Sequence, residues 1–338
     1  MIHELPPDRI ASWAHFGALS DLEKSRLGPQ SPWLEHGQIC TFALEDAGVV
    51  LGRVSAFVNP RLQDQTAPTG LLGCFAFTDA AFDSRGAELR ALVDQACGWL
   101  RARGMQRVRG PMNFCTWYSY RVESESADYP RFPGEDVLDQ RYARFLETFM
   151  QPLGTYASQL IEDPESARKV AQQLGVDRAG KLAGITVEEL TRERTLAELK
   201  PFYDLASEIF PQDFSYGPIG FDEMQQLYVP VIQRLPDYYA LIARNSSGRP
   251  IGLAYGYMHP FAPVKTSILK TVGVLPEYRR GLSRGVSWYL TYTFHYNLHE
   301  RGYVQFIHST MKEDNTSRAM SSRFARKIRE YKLYETAL

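Results

Sequence analysis

The chain states one structural plan twice. "ICTFALEDAGVVLGRVSAFV" predicts two strands around an Asp-Ala-Gly turn, and "GLLGCFAF" predicts a third. "SRGAELRALVDQACGWLRARG" then places Leu89, Leu92, Val93, Ala96 and Leu100 on one helical face. Gly104 stops that helix, and "MQRVRGPMN" reads as the next strand. The second half returns to the same order. "YYALIARNSSGRPIGLAYGYM" gives two strands around a Ser-Gly turn, and "TSILKTVGVLP" gives the third. "SRGVSWYLTYTFHYNLHERG" is a helix stopped by Gly302, followed by the strand "YVQFIHSTM". Gly104 and Gly302 stand 198 positions apart, and Gly52 and Gly252 stand 200 apart. Equal order at a nearly constant offset points to an internal duplication of an α/β unit.

Length supports two units. A chain of 338 residues exceeds one ordinary core. The polar, Ala-rich stretch "PESARKVAQQLGVDRAGK" reads as a connecting helix and linker, which sets the domains at 1–176 and 177–338. Before it, "LDQRYARFLETFMQPLGTYASQLIE" supplies a helix and a closing strand for the first domain, and "SESADYPRFPGED" reads as loop. Lys+Arg of 38 against Asp+Glu of 39 leaves a net charge of -1, which argues against a nucleic-acid partner. Cys40, Cys74, Cys97 and Cys115 show no CxxC spacing and read as buried small hydrophobes. The amino terminus lacks an apolar signal core and no stretch approaches membrane-spanning length, so a cytoplasmic protein without a membrane partner is expected.

Charge is concentrated in one turn, "LPEYRRGLSRG". A strand ending near Pro276 and passing into a helix directs unpaired backbone N–H groups outward, where the helix dipole favours an anion. Arg279, Arg280 and Arg284 add positive charge there, and Gly281 and Gly285 permit close backbone approach. "VGVLPEYRRGLSRG" resembles the acyl-CoA-binding segment of the GNAT acyltransferase superfamily, and "KEDNTSRAMSSRFARKIREYKLYE" resembles its following helix and closing strands. The layout as a whole resembles bacterial tandem-GNAT proteins.

The resemblance implies an α/β fold of two tandem GNAT-like domains, each a mixed, mostly antiparallel sheet flanked by helices. It also implies an acyl-CoA co-substrate, acetyl-CoA foremost, with no metal. By resemblance, the backbone of Val272 and Val274 holds the pantetheine arm. Arg279, Arg280, Gly281, Leu282, Ser283, Arg284 and Gly285 surround the pyrophosphate, and Asn315 opens the helix beside the cofactor. The turn departs from the family's Q/R-x-x-G-x-G/A pattern. One register leaves Tyr278 and Ser283 at its outer positions; the other, from Arg280, puts Ser283 at the central glycine. The first half carries Asp79 and Asp83 where the second has Glu277 and Gly281, so it reads as a degenerate copy unable to bind coenzyme A.

Catalytic candidates are fewer. The tyrosine that many family members carry after the fifth strand falls near Ser322 here, and "NTSRAMSSRFARK" holds none. His308 is the candidate base because imidazole titrates near neutrality; Tyr331, on the closing strand with Tyr334, is a second candidate. His295 and His299 are four apart and read as an exposed helical pair without a third metal ligand. The loop Phe210 to Glu223 offers Asp213 and Tyr216 to a cationic or amphipathic acceptor. No serine or cysteine nucleophile motif is present, which favours direct attack by the amine of a small metabolite or amino acid. Two other readings stand beside this one: a Fem-type transferase taking aminoacyl-tRNA, and a non-catalytic acyl-CoA-binding protein.

Overall fold

Two tight hairpins, 200 positions apart, set the geometry of the halves. Ala47 and Gly48 both adopt positive φ (48° and 80°), the two-residue turn whose twist matches antiparallel strands. Gly248 has φ 80°, and the Asn245 side chain accepts hydrogen bonds from the backbone N–H groups of Ser247 and Arg249. The computed structural model describes residues 1–62, 66–163, 165, 182, 184–211, 215–279 and 285–338. The expected boundary near Asp177 lies outside these residues.

The first half contributes β1 (Ile2–Leu5), β2 (Gln38–Asp46), β3 (Val49–Val58), β4 (Thr69–Phe77), β5 (Arg107–Gly110), β6 (Val122–Ser126) and β7 (Gln151–Ile161). The second contributes β8 (Thr186–Leu190), β9 (Tyr239–Arg244), β10 (Pro250–Met258), β11 (Thr266–Val274), β12 (Gln305–Lys312) and β13 (Arg326–Ala337). All form one sheet in the order β1-β2-β3-β4-β5-β13-β7-β12-β11-β10-β9-β8, with β6 paired to β13. Only β4–β5 and β11–β12 run parallel. A parallel pair needs a crossover, and the helices Gly86–Arg101 and Val286–His299 supply it in the two halves. The first buries the five residues expected on its apolar face; the second buries Val286, Leu290, Phe294, His295 and Leu298.

The halves exchange their closing strands. β7 lies between β12 and β13, and β13 reaches β5 of the first half. Each half therefore completes the other's sheet. A third core fills the seam, where Trp33, Phe57, Phe114 and Tyr118 meet Leu199, Ile219, Met224 and Ile232. Among the described residues no helix is long and apolar enough to cross a membrane.

Candidate functional site

The strand before the arginine-rich turn outruns its neighbour. β11 pairs with β12 only from Thr266 to Leu269, opposite Gln305 to His308, and continues alone on that side to Val274. On its other side it pairs with β10, where Leu275 N–H donates to Ile251 O at 2.9 Å and Gly252 faces Val274. In an antiparallel ladder, bonded and non-bonded pairs alternate. Leu275 bonds to β10, so Val272 and Val274 turn their N–H and C=O groups toward the side that β12 has left. This is a row of strand hydrogen-bonding groups facing a gap.

The gap's far end is the turn. Arg279 does not extend outward: its Nε donates to Val274 O and its Nη2 to Ile209 O, both at 2.8 Å. The guanidinium thus ties the end of β11 to the helix Leu199–Ile209 rather than standing free for a phosphate. Arg280, Gly281, Leu282, Ser283 and Arg284 lie outside the described residues. Gly285 is the residue on which the helix Val286–His299 starts.

At the gap's near end lies His308, 6% exposed. Its Nδ1 is hydrogen-bonded to Ser321 Oγ (2.9 Å) and its Nε2 to His295 Nε2 (3.0 Å). Burial pushes His308 down to about 4, and burial followed by His308 itself pushes His295 well below its usual range. Both imidazoles are neutral at neutral pH. The expectation of an exposed His295–His299 pair is corrected on this point. His295 is buried against Phe306, ring centroids 4.5 Å apart, and joined to His308, whereas His299 is exposed and donates to Tyr303 O (3.1 Å).

The other candidates are dispersed. Lys327, not Tyr331, stands level with His308 across β7, and Tyr331 is four residues on, about 13 Å along the strand. Tyr331 is 1% exposed, with its hydroxyl donating to Glu135. Asn315 is exposed and accepts from Ser317 N–H (3.1 Å) at the start of the helix Thr316–Ser321. Tyr216 is buried at the seam, its ring 6.3 Å from that of Trp117, and Asp213 lies outside the described residues.

One residue that the sequence reading passed over sits where β11 and β12 part. Lys270 is the extra residue of a β-bulge, for the β10 register skips it between Tyr255–Thr271 and Gly256–Leu269. Its Nζ donates to Gly134 O (3.1 Å), in the loop "SESADYPRFPGED". Burial, and next the charge of Arg121, lower it to about 8. A lone lysine inside the apolar run "TSILKTVGV" was the available signal.

The first half has the same splay, filled. β4 pairs with β5 only from Thr69 to Leu71 and runs on to Phe77. Gly52 faces Phe77 and Thr78 N–H donates to Leu51 O at 3.0 Å, matching Gly252, Val274, Leu275 and Ile251. Here two donors on the open side are already taken. Cys74 N–H meets Asn113 Oδ1 (2.7 Å), and Phe77 N–H meets the Tyr142 hydroxyl (2.8 Å). The Tyr142 ring stacks on Phe77 at 5.3 Å and edges against Phe75 and Phe82. In the turn, Arg85 is paired with Asp46 and Glu88, and Arg141 with Asp79. In the second half Arg279 takes the outward carbonyl of Val274, but no side chain meets the N–H of Val272 or Val274 among the described residues.

Neither a protein-family model nor a curated protein sequence matches the chain. Solved structures do. A tandem GNAT protein from the clavulanic acid biosynthesis pathway is similar at 14% identity and TM-score 0.50, over 100% of this chain and 98% of that one. A conserved protein of unknown function from Enterococcus faecalis V583 reaches TM-score 0.58 at 11% identity, over 100% of this chain and 72% of its own. A GCN5-related N-acetyltransferase from Anabaena variabilis ATCC 29413 gives 0.54 at 10% identity, over 99% and 72%. Likeness at such identities speaks to fold, and the fold of this chain is that of the tandem GNAT proteins.

Proposed function

We propose that the protein transfers an acyl group from an acyl-CoA, acetyl-CoA foremost, to the amine of a small molecule, and that only the second half binds the donor. The observation that carries this is the pair of N–H groups at Val272 and Val274 and the carbonyl of Val272, turned toward the gap beside β11, with Arg279 already on the Val274 carbonyl. An extended pantetheine chain bears amides that pair with such a row as an added strand would. The turn from Arg280 to Gly285, with the N-terminus of the helix Val286–His299, then takes the phosphates.

The chemistry is direct. A neutral amine attacks the thioester carbonyl, the C–S bond breaks, and the departing thiolate takes up a proton. A cysteine-bound intermediate is disfavoured because burial pushes Cys40 and Cys115 up to about 12, and Cys74 and Cys97 up to about 11. His308 is a poor match for an ammonium proton at about 4. This reading gives the His308–His295–Ser321 chain a positioning role, fixing where β12 leaves β11.

Thiol release from acetyl-CoA in the presence of a panel of primary amines tests the proposal, with mass spectrometry of ligands that co-purify. Release that depends on an amine is the expected result. Bound acyl-CoA with no turnover on any amine would leave a binding protein, co-purified aminoacyl-tRNA would favour the Fem-type reading, and an acyl group trapped on the protein would overturn direct attack.

A further inference from the structure

The loop "SESADYPRFPGED", together with Arg121 and β13, builds a charged cluster at the seam of the halves. Arg121 Nε donates to Asp136 (2.9 Å), Arg329 Nη1 to Glu135 (2.7 Å), and Arg131 pairs with Glu123. Arg121 is also stacked against Tyr120, 4.1 Å from the ring centre, which fixes its plane. Three cations thus have three carboxylates. Lys270 is the fourth cation, and among the described residues its side-chain hydrogen bond is to the backbone carbonyl of Gly134. No carboxylate stands within ion-pair distance of it among the described residues. It is half-buried, and with one hydrogen bond to Gly134 O it has N–H groups to spare.

A cation partly removed from water with no carboxylate paired to it is a charge surplus, and an anion relieves it. The site's position says which part of the reaction that anion belongs to. Lys270 lies four residues back from Val274, about 13 Å along the strand. A donor entering at the turn reaches Lys270 with its acyl end, not its phosphates. The bulge aims the side chain away from Leu269 and its core, toward the loop of the first half.

We propose that Lys270 binds a carboxylate of the acyl acceptor, so that the acceptor is an amino acid or another small amine bearing a carboxylate. This rests on the N-acyl-transfer reading. The lowering of Lys270 to about 8, from burial and Arg121, accords with the surplus, and the amine stays mostly protonated at neutral pH. The other charged groups that act on it are Asp136 and Glu135, both already engaged by arginines.

Product-side probes isolate the carboxylate, because they carry no titrating amine. A panel of N-acetyl amino acids and their primary amides is titrated calorimetrically into the full chain, with and without coenzyme A. The acids are expected to bind at least about tenfold more tightly than the amides. Lys270→Met should erase that difference while leaving coenzyme A affinity unchanged, and Lys270→Arg should retain it. Amides binding as well as acids, no acid in the panel binding at all, or discrimination surviving Lys270→Met would each overturn the proposal. Coenzyme A binding is read separately in the same titrations, so failure of the transferase reading shows as its absence, whatever the probes do.

Discussion

The two splays are the same device in opposite states. In each half a strand continues past its parallel neighbour, bonds on one side to a hairpin partner, and turns alternate backbone groups to a gap. The first half closes its gap with its own side chains: Asn113 on Cys74 N–H, the Tyr142 hydroxyl on Phe77 N–H, and the rings of Phe75, Phe82 and Phe145 around Tyr142 and Phe77. The second caps only the Val274 carbonyl, with Arg279, and leaves the N–H groups of Val272 and Val274 facing theirs. Strand edges inside a fold are satisfied by protein or by ligand. Duplication followed by plugging one copy accords with the proposal of a buttress and one donor site. For the proposal that the first half binds no donor, it adds occupation of the gap to the repulsion expected at Asp79 and Asp83.

Breaking the second copy should have the largest effect. Gly281→Asp sets bulk and negative charge where the sequence places the phosphates, and calorimetry should show coenzyme A affinity falling by at least about 100-fold. Unplugging the first copy should cost stability without adding a site. Tyr142→Ala removes the centre of an aromatic cluster, so urea unfolding should show a loss of about 3 kcal/mol. Tyr142→Phe keeps the ring but leaves Phe77 N–H unpaired, a loss of about 1 kcal/mol. Neither should raise the number of coenzyme A molecules bound, because Arg85 and Arg141 remain committed to carboxylates. The reverse would show the plug to be all that separates the copies.

The His308–His295 pair gives a subtler contrast, since the first half has no equivalent buried pair among its described residues. Both imidazoles are held below their unfolded value near 6.5 by burial. The unfolded chain therefore binds more protons than the folded one between about 4 and 6.5, and stability present above that window is lost as pH falls through it. Urea midpoints at pH 7 and pH 5 should differ more for the native chain than for His308→Gln. Equal differences would place the acid sensitivity elsewhere. The smallest effect expected is for Asp83→Ala, which should leave coenzyme A affinity unchanged.

Much of the plan was legible because it rests on local chemistry. Gly104 and Gly302 end their helices at φ 79° and 82°, a conformation that favours glycine. Gly52 and Gly252 keep their offset because a Cβ would stand 3.0 Å from Leu89 at one and 3.1 Å from Leu290 at the other, where the crossover helix presses on the sheet. What stayed hidden depends on distant pairing. The exchange of β7 and β13 is a choice among strands that look alike in sequence. Tyr142 reads as one more apolar position on an amphipathic helix until the structure sets it 65 residues back against Phe77. The cluster around Lys270 joins groups 136 and 194 positions apart, Lys270 to Gly134 and Arg329 to Glu135. No spacing rule reaches that far.

An open splay and a plugged one should differ in the ligand they accept. A calorimetric titration of acetyl-CoA into the native chain measures this directly. The account predicts one molecule bound per chain; two equivalent sites per chain would contradict it.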